Sequence, residues 1–239
     1  MTRYRIRARP TQPLAGERTQ AVAGRGLEFY ELRGYAQGDE PRFIDWRAFA
    51  RTGRLYTRIF QAEAPARFTF FLDGSRSMLL HGKQAYAERA ARILLELARP
   101  EGAFLWGGGR YQGRLSWVEP GPSALLALPR PKGVTVLITD GLDELDWSRL
   151  LQKLQRVVLV QVLAPEEVSP SFAEALLQDV EVGQRLEVGQ AEIPAYQAAL
   201  AQHLLRLKTT ARRLGSYALL RVGEPIVPGL VRQGVLEER

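Results

Sequence analysis

The sequence contains no cysteine and only two histidines, His81 and His203, among its 239 residues. A chain without cysteine forms no disulfide and offers no thiolate ligand to zinc or to an iron–sulfur cluster. No apolar run approaches the roughly 18 to 20 residues of a membrane-spanning helix, and the first residues lead into no apolar signal region. We therefore expect a cytoplasmic protein without a membrane span, and the composition disfavours a zinc or iron enzyme.

Lysine is also scarce, because 29 of the 33 basic residues are arginine. The net charge of +7 is concentrated in residues 1–60, which carry twelve arginines against six acidic residues. A basic arm can bind phosphate or nucleic acid. Arginine dominates along the whole chain, so the excess of positive charge in residues 1–60 indicates a general composition bias and not a local binding site. We therefore expect no nucleic-acid partner.

The apolar content of 46% suffices for the core of one large α/β domain. Short apolar runs alternate with amphipathic stretches, which predicts a parallel sheet covered by helices on both faces. We expect an N-terminal arm and leading segment over residues 1–60 and the main domain over residues 61–239. The predicted strands lie at 54–59, 67–72, 103–106, 111–118, 134–139, 156–163 and 216–222, with a hairpin at 180–188, and the predicted helices lie at 81–99, 145–154, 170–178 and 194–214.

A carboxylate and two hydroxyls follow the apolar run at 68–72 at alternate positions, as Asp73, Ser75 and Ser77. In an extended chain, residues two apart point the same way, so these side chains can converge on one point while Gly74 lets the backbone turn. Hard oxygen ligands of low total charge suit Mg²⁺ or Mn²⁺. The spacing predicts half of a metal site.

A second apolar run, residues 134–139, ends in Asp140 and Gly141 and repeats this pattern. In an open parallel sheet, ligands bind beyond the carboxyl ends of the strands, where the strand order reverses. Asp140 could therefore reach the same cation as Asp73. An Asp-Gly pair also makes a plain turn, but a turn has no use for three oxygen side chains in register, so we favour the metal site.

Residues 26–51 interleave acidic, arginine and aromatic residues without a clean period. Two explanations stay open for this block. Paired ions and aromatic anchors can hold an irregular loop together, or they can form a docking surface for a partner. The candidate partner-binding residues are Arg33, Asp39, Arg42, Asp45 and Trp46.

Together these features resemble the von Willebrand factor A-like proteins of the domain of unknown function 58 family, which are found with MoxR-type AAA+ ATPases. The resemblance implies a von Willebrand A-like, Rossmann-type fold: a mostly parallel sheet flanked by helices, with an N-terminal arm or strand extension. Residues 73–78 are similar to a metal-ion-dependent adhesion motif. The blocks similar to the family signature are Gly26–Phe29, Leu32–Tyr35, Gly38–Arg42, Ile44–Trp46 and Ala50–Arg51.

The resemblance also implies ligand roles. Ser75 and Ser77 would bind the metal directly, and Asp73 and Asp140 would hold its waters. The family motif adds a threonine from an intervening loop, for which the candidate here is Ser123, 17 residues before Asp140. So short an interval leaves open whether the site is functional or degenerate.

Three functions follow as hypotheses. The preferred one is a non-enzymatic adaptor whose Mg²⁺ or Mn²⁺ captures an acidic side chain of a partner and which works with a MoxR-type AAA+ ATPase and its client. The alternative is a scaffold with a degenerate metal site that binds partners through residues 26–51. A metal-dependent hydrolase ranks third, because phosphatases of similar topology need a carboxylate two residues after the nucleophile and position 75 is serine. We therefore predict no catalytic residue.

Overall fold

The computed structural model describes residues 3–7, 27–39, 41–62, 67–107, 109–127, 129–131, 133–171, 174–178 and 185–238. It divides the chain into two compact units. Gln12–Pro65 forms the smaller unit, and Met1–Thr11 together with Ala66–Arg239 forms the larger one. Most of the expected N-terminal arm, residues 8–26, lies outside the described residues.

The regular elements follow one another along the chain as short strands and helices. The strands are β1 (Tyr4–Ile6), β2 (Leu27–Gly34), β3 (Tyr56–Ala62), β4 (Phe68–Leu72), β5 (Ala103–Leu105), β6 (Gly109–Arg110), β7 (Val134–Thr139), β8 (Val157–Leu163), β9 (Glu174–Gln178), β10 (Arg185–Gly189), β11 (Gly215–Arg221) and β12 (Leu236–Glu238). The α-helices are α1 (Trp46–Thr52), α2 (Lys83–Ala98), α3 (Ala124–Ala127), α4 (Trp147–Leu154), α5 (Pro165–Val168), α6 (Ile193–Leu214) and α7 (Ile226–Arg232).

Six strands of the larger unit form one sheet in the order β11-β8-β7-β4-β5-β6. Every neighbouring pair is parallel except β5 and β6. The strand order reverses between β4 and β7, because the chain leaves β4 for β5 on one side and returns to β7 on the other. The predicted α/β class with a mostly parallel sheet is confirmed, and the ends of β4 and β7 lie side by side.

Alternating residues of the central strands face two separate apolar clusters, as expected for a sheet covered on both faces. One face packs against α2, whose stripe of alanine and leucine residues is fully buried. The apolar cluster on this face includes Phe70, Leu72, Val136, Ile138, Ala87, Ala90 and Leu94. The other face packs against α4 and α6, and its members include Phe71, Leu137, Leu159, Leu150, Leu151 and Leu207.

Two sequence predictions of local structure are wrong. Residues 174–178 form a strand, not a helix, because their backbone pairs antiparallel with Arg185–Gly189. Residues 111–118 form no hairpin strand. Instead, Gly109–Arg110 pairs with β5, and Val118 makes an isolated parallel bridge to Asp73. In both places tertiary pairing of the backbone overrides local propensity.

In the smaller unit, β2 and β3 form an antiparallel pair, and α1 lies between them in sequence. Asp45 caps α1 by accepting a hydrogen bond from the Ala48 amide at 2.9 Å, and Gly53 ends the helix with φ of 67°.

In the described part of the chain, no helix combines the length and the hydropathy that a membrane crossing requires.

Candidate functional site

Asp73 lies directly beyond β4, and its side chain is fully buried. Leu72 pairs with Ile138, so Asp73 is level with Thr139 at the end of β7. The Thr139 hydroxyl donates to Asp73 Oδ2 at 2.5 Å, and the Ser75 amide donates to Asp73 Oδ1 at 2.8 Å. Both carboxylate oxygens therefore have partners within the protein.

Burial is the main cause that raises the pKa of the Asp73 carboxyl above its ordinary value. The hydrogen bonds from Thr139 and Ser75 oppose this shift, and the negative charge of Asp140 adds to it. Asp73 and Asp140 are thus close enough to repel each other, because they follow the neighbouring strands β4 and β7.

The two predicted hydroxyl ligands lie next to each other. Ser75 is buried, and its Oγ lies 3.1 Å from Ser77 Oγ at the start of a 3₁₀ turn that leads to α2. The alternate spacing read from the sequence therefore brings these two oxygens together beside Asp73.

The segment around Ser123 reaches this site through its backbone. Gly121 has φ of 125°, and a Cβ at this position would lie 2.9 Å from Asp73 Oδ1 and 3.2 Å from Ser75 Cβ. Glycine is therefore needed for the loop to pass this closely. The Ser123 side chain itself is exposed.

Asp140 has a different partner, which the sequence had not suggested. The ammonium of Lys83, the first residue of α2, donates to Asp140 Oδ2 at 2.7 Å, and both side chains are completely buried. The amide of Leu142 donates to Asp140 Oδ1 at 3.3 Å. Asp140 is thus neutralised from the face of the sheet that α2 covers.

The same ammonium also pairs with Glu167 Oε1 on α5, beyond β8. The other carboxylate oxygen of Glu167 accepts from the Ala164 amide at 2.8 Å, and its backbone carbonyl accepts from the Tyr196 hydroxyl of α6 at 2.7 Å. We call Lys83, Asp140 and Glu167 the ammonium cluster. It joins the start of α2 to the ends of β7 and β8.

Further hydrogen bonds hold the Asp140-Gly141 turn. Gln161 Nε2 donates to the Asp140 carbonyl at 2.6 Å, and Gln161 Oε1 accepts from the buried Tyr217 hydroxyl at 2.9 Å. His203 is partly buried and has Nε2 2.6 Å from the Gly141 carbonyl oxygen. These contacts fix where the Asp140 carboxylate lies.

The donor set fits the implied Mg²⁺ or Mn²⁺ only in part. Two neighbouring ligands of an octahedral Mg²⁺ lie about 2.9 Å apart when each bond is about 2.1 Å, so Ser75 and Ser77 match. The carboxylate charge does not match, because Asp140 already faces an ammonium. Among the described residues, no three histidine, aspartate or glutamate side chains come close enough to hold a metal. The set as a whole does not fit the implied ion.

A signal for Lys83 was present in the sequence. Lysine is rare in this arginine-rich chain, and position 83 precedes Ala87, Ala90 and Leu94 at helical spacing on the apolar stripe of α2. A lysine on a buried stripe needs an acidic partner. Spacing alone could not name that partner, because Asp140 and Glu167 lie 57 and 84 residues away.

The predicted partner-binding residues Arg33, Asp39 and Asp45 have internal partners. Arg33 pairs with Asp39 at 2.6 Å, and Asp45 pairs with Arg58 at 3.1 Å as well as capping α1. Hydrogen bonds lower the pKa of Asp39, and the largest contribution comes from the Ala36 amide. Hydrogen bonds also lower the pKa of Asp45, and the largest contribution comes from the Ala48 amide.

The other two candidates, Arg42 and Trp46, contact aromatic rings. The Arg42 guanidinium lies over the Phe43 ring, 4.7 Å from its centroid. Trp46 is 59% exposed and packs edge-on against Phe49, with ring centroids 6.3 Å apart. Acids and arginines thus hold the smaller unit together, while Tyr35, Trp46 and Phe49 remain exposed.

Comparison with known proteins places this chain beside relatives of unassigned function. Residues 31–101 match the model of a family described as Protein of unknown function DUF58. An uncharacterized protein of Mycobacterium bovis and two of Mycobacterium tuberculosis strains are each 27% identical over 264 residues, covering 92% of this chain and 82% of the relative. No solved structure matches.

The matched segment begins within β2 and ends just after α2, so it includes residues 31–51 of the interleaved block, Asp73, Ser75, Ser77 and Lys83. The resemblance to the domain of unknown function 58 family is therefore confirmed over residues 31–101.

Proposed function

We propose that this chain is a non-enzymatic protein-interaction module that binds its partner through exposed aromatic and leucine side chains of the smaller unit. The observation that carries the proposal is the exposure of Trp46. Large apolar side chains that stay exposed together mark interaction sites more often than free surface, and tryptophan is among the residues that contribute most to binding energy at interfaces. This surface, which we call the aromatic face, comprises Tyr35, Trp46, Phe49 and Leu55.

Backbone hydrogen bonds hold the aromatic face at one end of the β2–β3 pair. The Tyr35 amide donates to the Leu55 carbonyl at 3.0 Å, and the Asp45 amide donates to the Tyr56 carbonyl at 2.8 Å. These bonds bring the residue after β2, the start of β3 and the start of α1 to the same place. The face is therefore held in position before a partner arrives, which lowers the entropy lost on binding.

Arginines flank this face and favour an acidic partner. Arg47 and Arg51 on α1 and Arg54 after it are exposed. A partner segment that carries apolar and acidic side chains matches this combination of apolar and cationic groups. Single-stranded nucleic acid would need open ring faces for stacking, whereas Trp46 and Phe49 pack against each other edge to face. We therefore favour a protein partner over nucleic acid.

The family resemblance makes a MoxR-type AAA+ ATPase of the same genome the first partner to test. Replacing Trp46 and Phe49 by alanine should weaken binding of the purified ATPase at least about 30-fold, which corresponds to about 2 kcal/mol for loss of an interface hot spot. Leu205→Ala is the matched control, because Leu205 is 62% exposed on α6 in the larger unit. Equal loss in the control, or unchanged binding by the double variant, would refute the aromatic face.

A Mg²⁺-dependent capture of an acidic side chain stays a prediction, supported by the spacing of the Ser75 and Ser77 hydroxyls. It ranks second because the Asp140 carboxylate is already paired with Lys83. The same binding assay in EDTA separates the two forms of the module. Binding through the aromatic face should survive chelation, whereas binding through a metal should be lost.

Hydrolysis has the least support. Ser75 Oγ faces Ser77 and His203 faces a backbone carbonyl, so these two residues are not arranged as a nucleophile and its base. We propose that the chain is not an enzyme, and turnover of a generic phosphoester or peptide substrate that Asp73→Asn abolishes would refute this.

A further inference from the structure

We propose that the Lys83 ammonium is the resident cation of the carboxyl edge of the sheet and holds the Asp140 carboxylate that a divalent metal would need. The inference concerns the larger unit alone and does not depend on the aromatic face. It explains why the predicted metal ligands and the observed donor set disagree.

The geometry of the ammonium cluster is that of a cation site. Asp140 and Glu167 come from different connections, after β7 and after β8, and each directs one carboxylate oxygen to Lys83 Nζ. Each uses its second oxygen to accept a backbone amide, from Leu142 and from Ala164. The oxygens that meet the ammonium are thus aimed by the fold.

The ammonium cluster lies inside the protein. The Lys83 side chain is completely buried, as is that of Asp140, and the Glu167 side chain is 15% exposed. An ammonium inside a protein must be paired, and its removal leaves buried carboxylates uncompensated. Because Lys83 is covalently part of α2, its amine cannot leave the site, whereas a metal would dissociate.

The same charge works against a divalent ion beside it. A metal bound at Ser75 and Ser77 would have to share the Asp140 carboxylate with the ammonium, and like charges repel strongly where water is excluded. Mg²⁺ also dehydrates reluctantly and needs compensating negative ligands. The carboxyl edge is therefore complete without a metal.

The first test uses the unaltered protein. Thermal unfolding in EDTA and in millimolar Mg²⁺ or Mn²⁺ should give the same midpoint, since an ion that does not bind the folded chain cannot stabilise it. A rise in the midpoint with either ion, lost again in Ser75→Ala, would overturn the proposal and support the metal at Asp73, Ser75 and Ser77.

The second test empties the cation position with Lys83→Ala. The vacated space is lined by two carboxylate oxygens, so one Mn²⁺ per chain should now bind, measured by electron paramagnetic resonance. Mn²⁺ at 100 times its Kd should raise the unfolding midpoint by about 5 °C. Propylammonium, which restores the deleted chain and charge, should also raise it, whereas propanol should not.

Matched controls keep the result interpretable. The variant that combines Lys83→Ala with Asp140→Asn and Glu167→Gln lacks the converging charges and should gain neither response. Where Lys83→Ala fails to fold, Lys83→Gln replaces it, and refolding yield with added propylammonium against propanol becomes the measurement. A lysine-deficient variant that gains neither Mn²⁺ nor propylammonium binding would refute Lys83 as the resident cation.

Discussion

Replacing Lys83 by methionine should destabilise the protein far more than breaking an equally short ion pair on the surface of the same helix. Methionine retains most of the volume of lysine, so the change removes mainly the charge. Lys83 and Asp140 are both completely buried at 2.7 Å, and Glu167 shares the ammonium. Removing one partner of a buried pair costs about 3–5 kcal/mol, because the remaining charge is left uncompensated.

The expected change in melting temperature follows from chain length. With an unfolding entropy of about 2.1 cal/mol/K per residue, the 239 residues give about 0.5 kcal/mol/K. A loss of about 3–5 kcal/mol therefore lowers the midpoint by about 6–10 °C. Urea unfolding followed by circular dichroism gives the same quantity as a free energy, provided that the slope with denaturant is unchanged.

Arg92→Met supplies the matched control. Arg92 pairs with Glu88 on α2, also at 2.7 Å, but both side chains are well exposed, and we expect no measurable change. Asp140→Asn combined with Lys83→Met should lose less stability than the sum of the two single changes by at least about 1 kcal/mol, because the two residues are in contact. A Lys83→Met protein as stable as Arg92→Met would refute the ammonium cluster as a stabilising element.

Three further predictions concern single side chains near the sheet. Burial raises the pKa of Tyr217 to about 12, so stability should be complete below pH 10, the ordinary value, and fall by about 1.4 kcal/mol per pH unit between pH 10 and 12. Urea melts of Tyr217→Phe over that range should lack this slope, and an identical slope would contradict it. Thr135 Oγ1 is buried without a hydrogen-bond partner among the described residues, so Thr135→Val should raise the free energy of unfolding by about 1 kcal/mol, and a loss in the same melts would show a missed partner. Gly121→Ala should lower the free energy of unfolding by more than about 1 kcal/mol beyond the loss in Gly113→Ala. Both glycines have positive φ, but only a Cβ at 121 meets Asp73. Equal losses in the two variants would mean that the loop around Gly121 shifts to make room for the added methyl group.

The parallel sheet could be predicted because its central strands carry the information locally. Phe68–Leu72, Val134–Thr139 and Val157–Leu163 are continuous apolar runs, the pattern of strands buried on both faces. The long helix Ile193–Leu214 likewise has a proline near its start and a glycine after its end. Residues 174–178 were mispredicted because their state depends on pairing with Arg185–Gly189.

The candidate site could also be predicted only where local sequence carries the information. Spacing two residues apart placed the Ser75 and Ser77 hydroxyls together, and the apolar run before Asp140 placed that residue beside β4. The sequence could not show that Asp73 is level with Thr139 rather than with Asp140. Strand register is set by packing on both faces, and a shift of one residue changes which side chains meet.

Residue order alone thus determined which segments become the central strands and that oxygen side chains collect at the ends of β4 and β7. Only the folded chain decided which charge neutralises them. Lys83, Asp140 and Glu167 are far apart in sequence, and a buried ammonium is stable only where the packing of α2 against the sheet brings carboxylates to it. Local patterns do not encode such long-range pairing, because it depends on how whole elements pack.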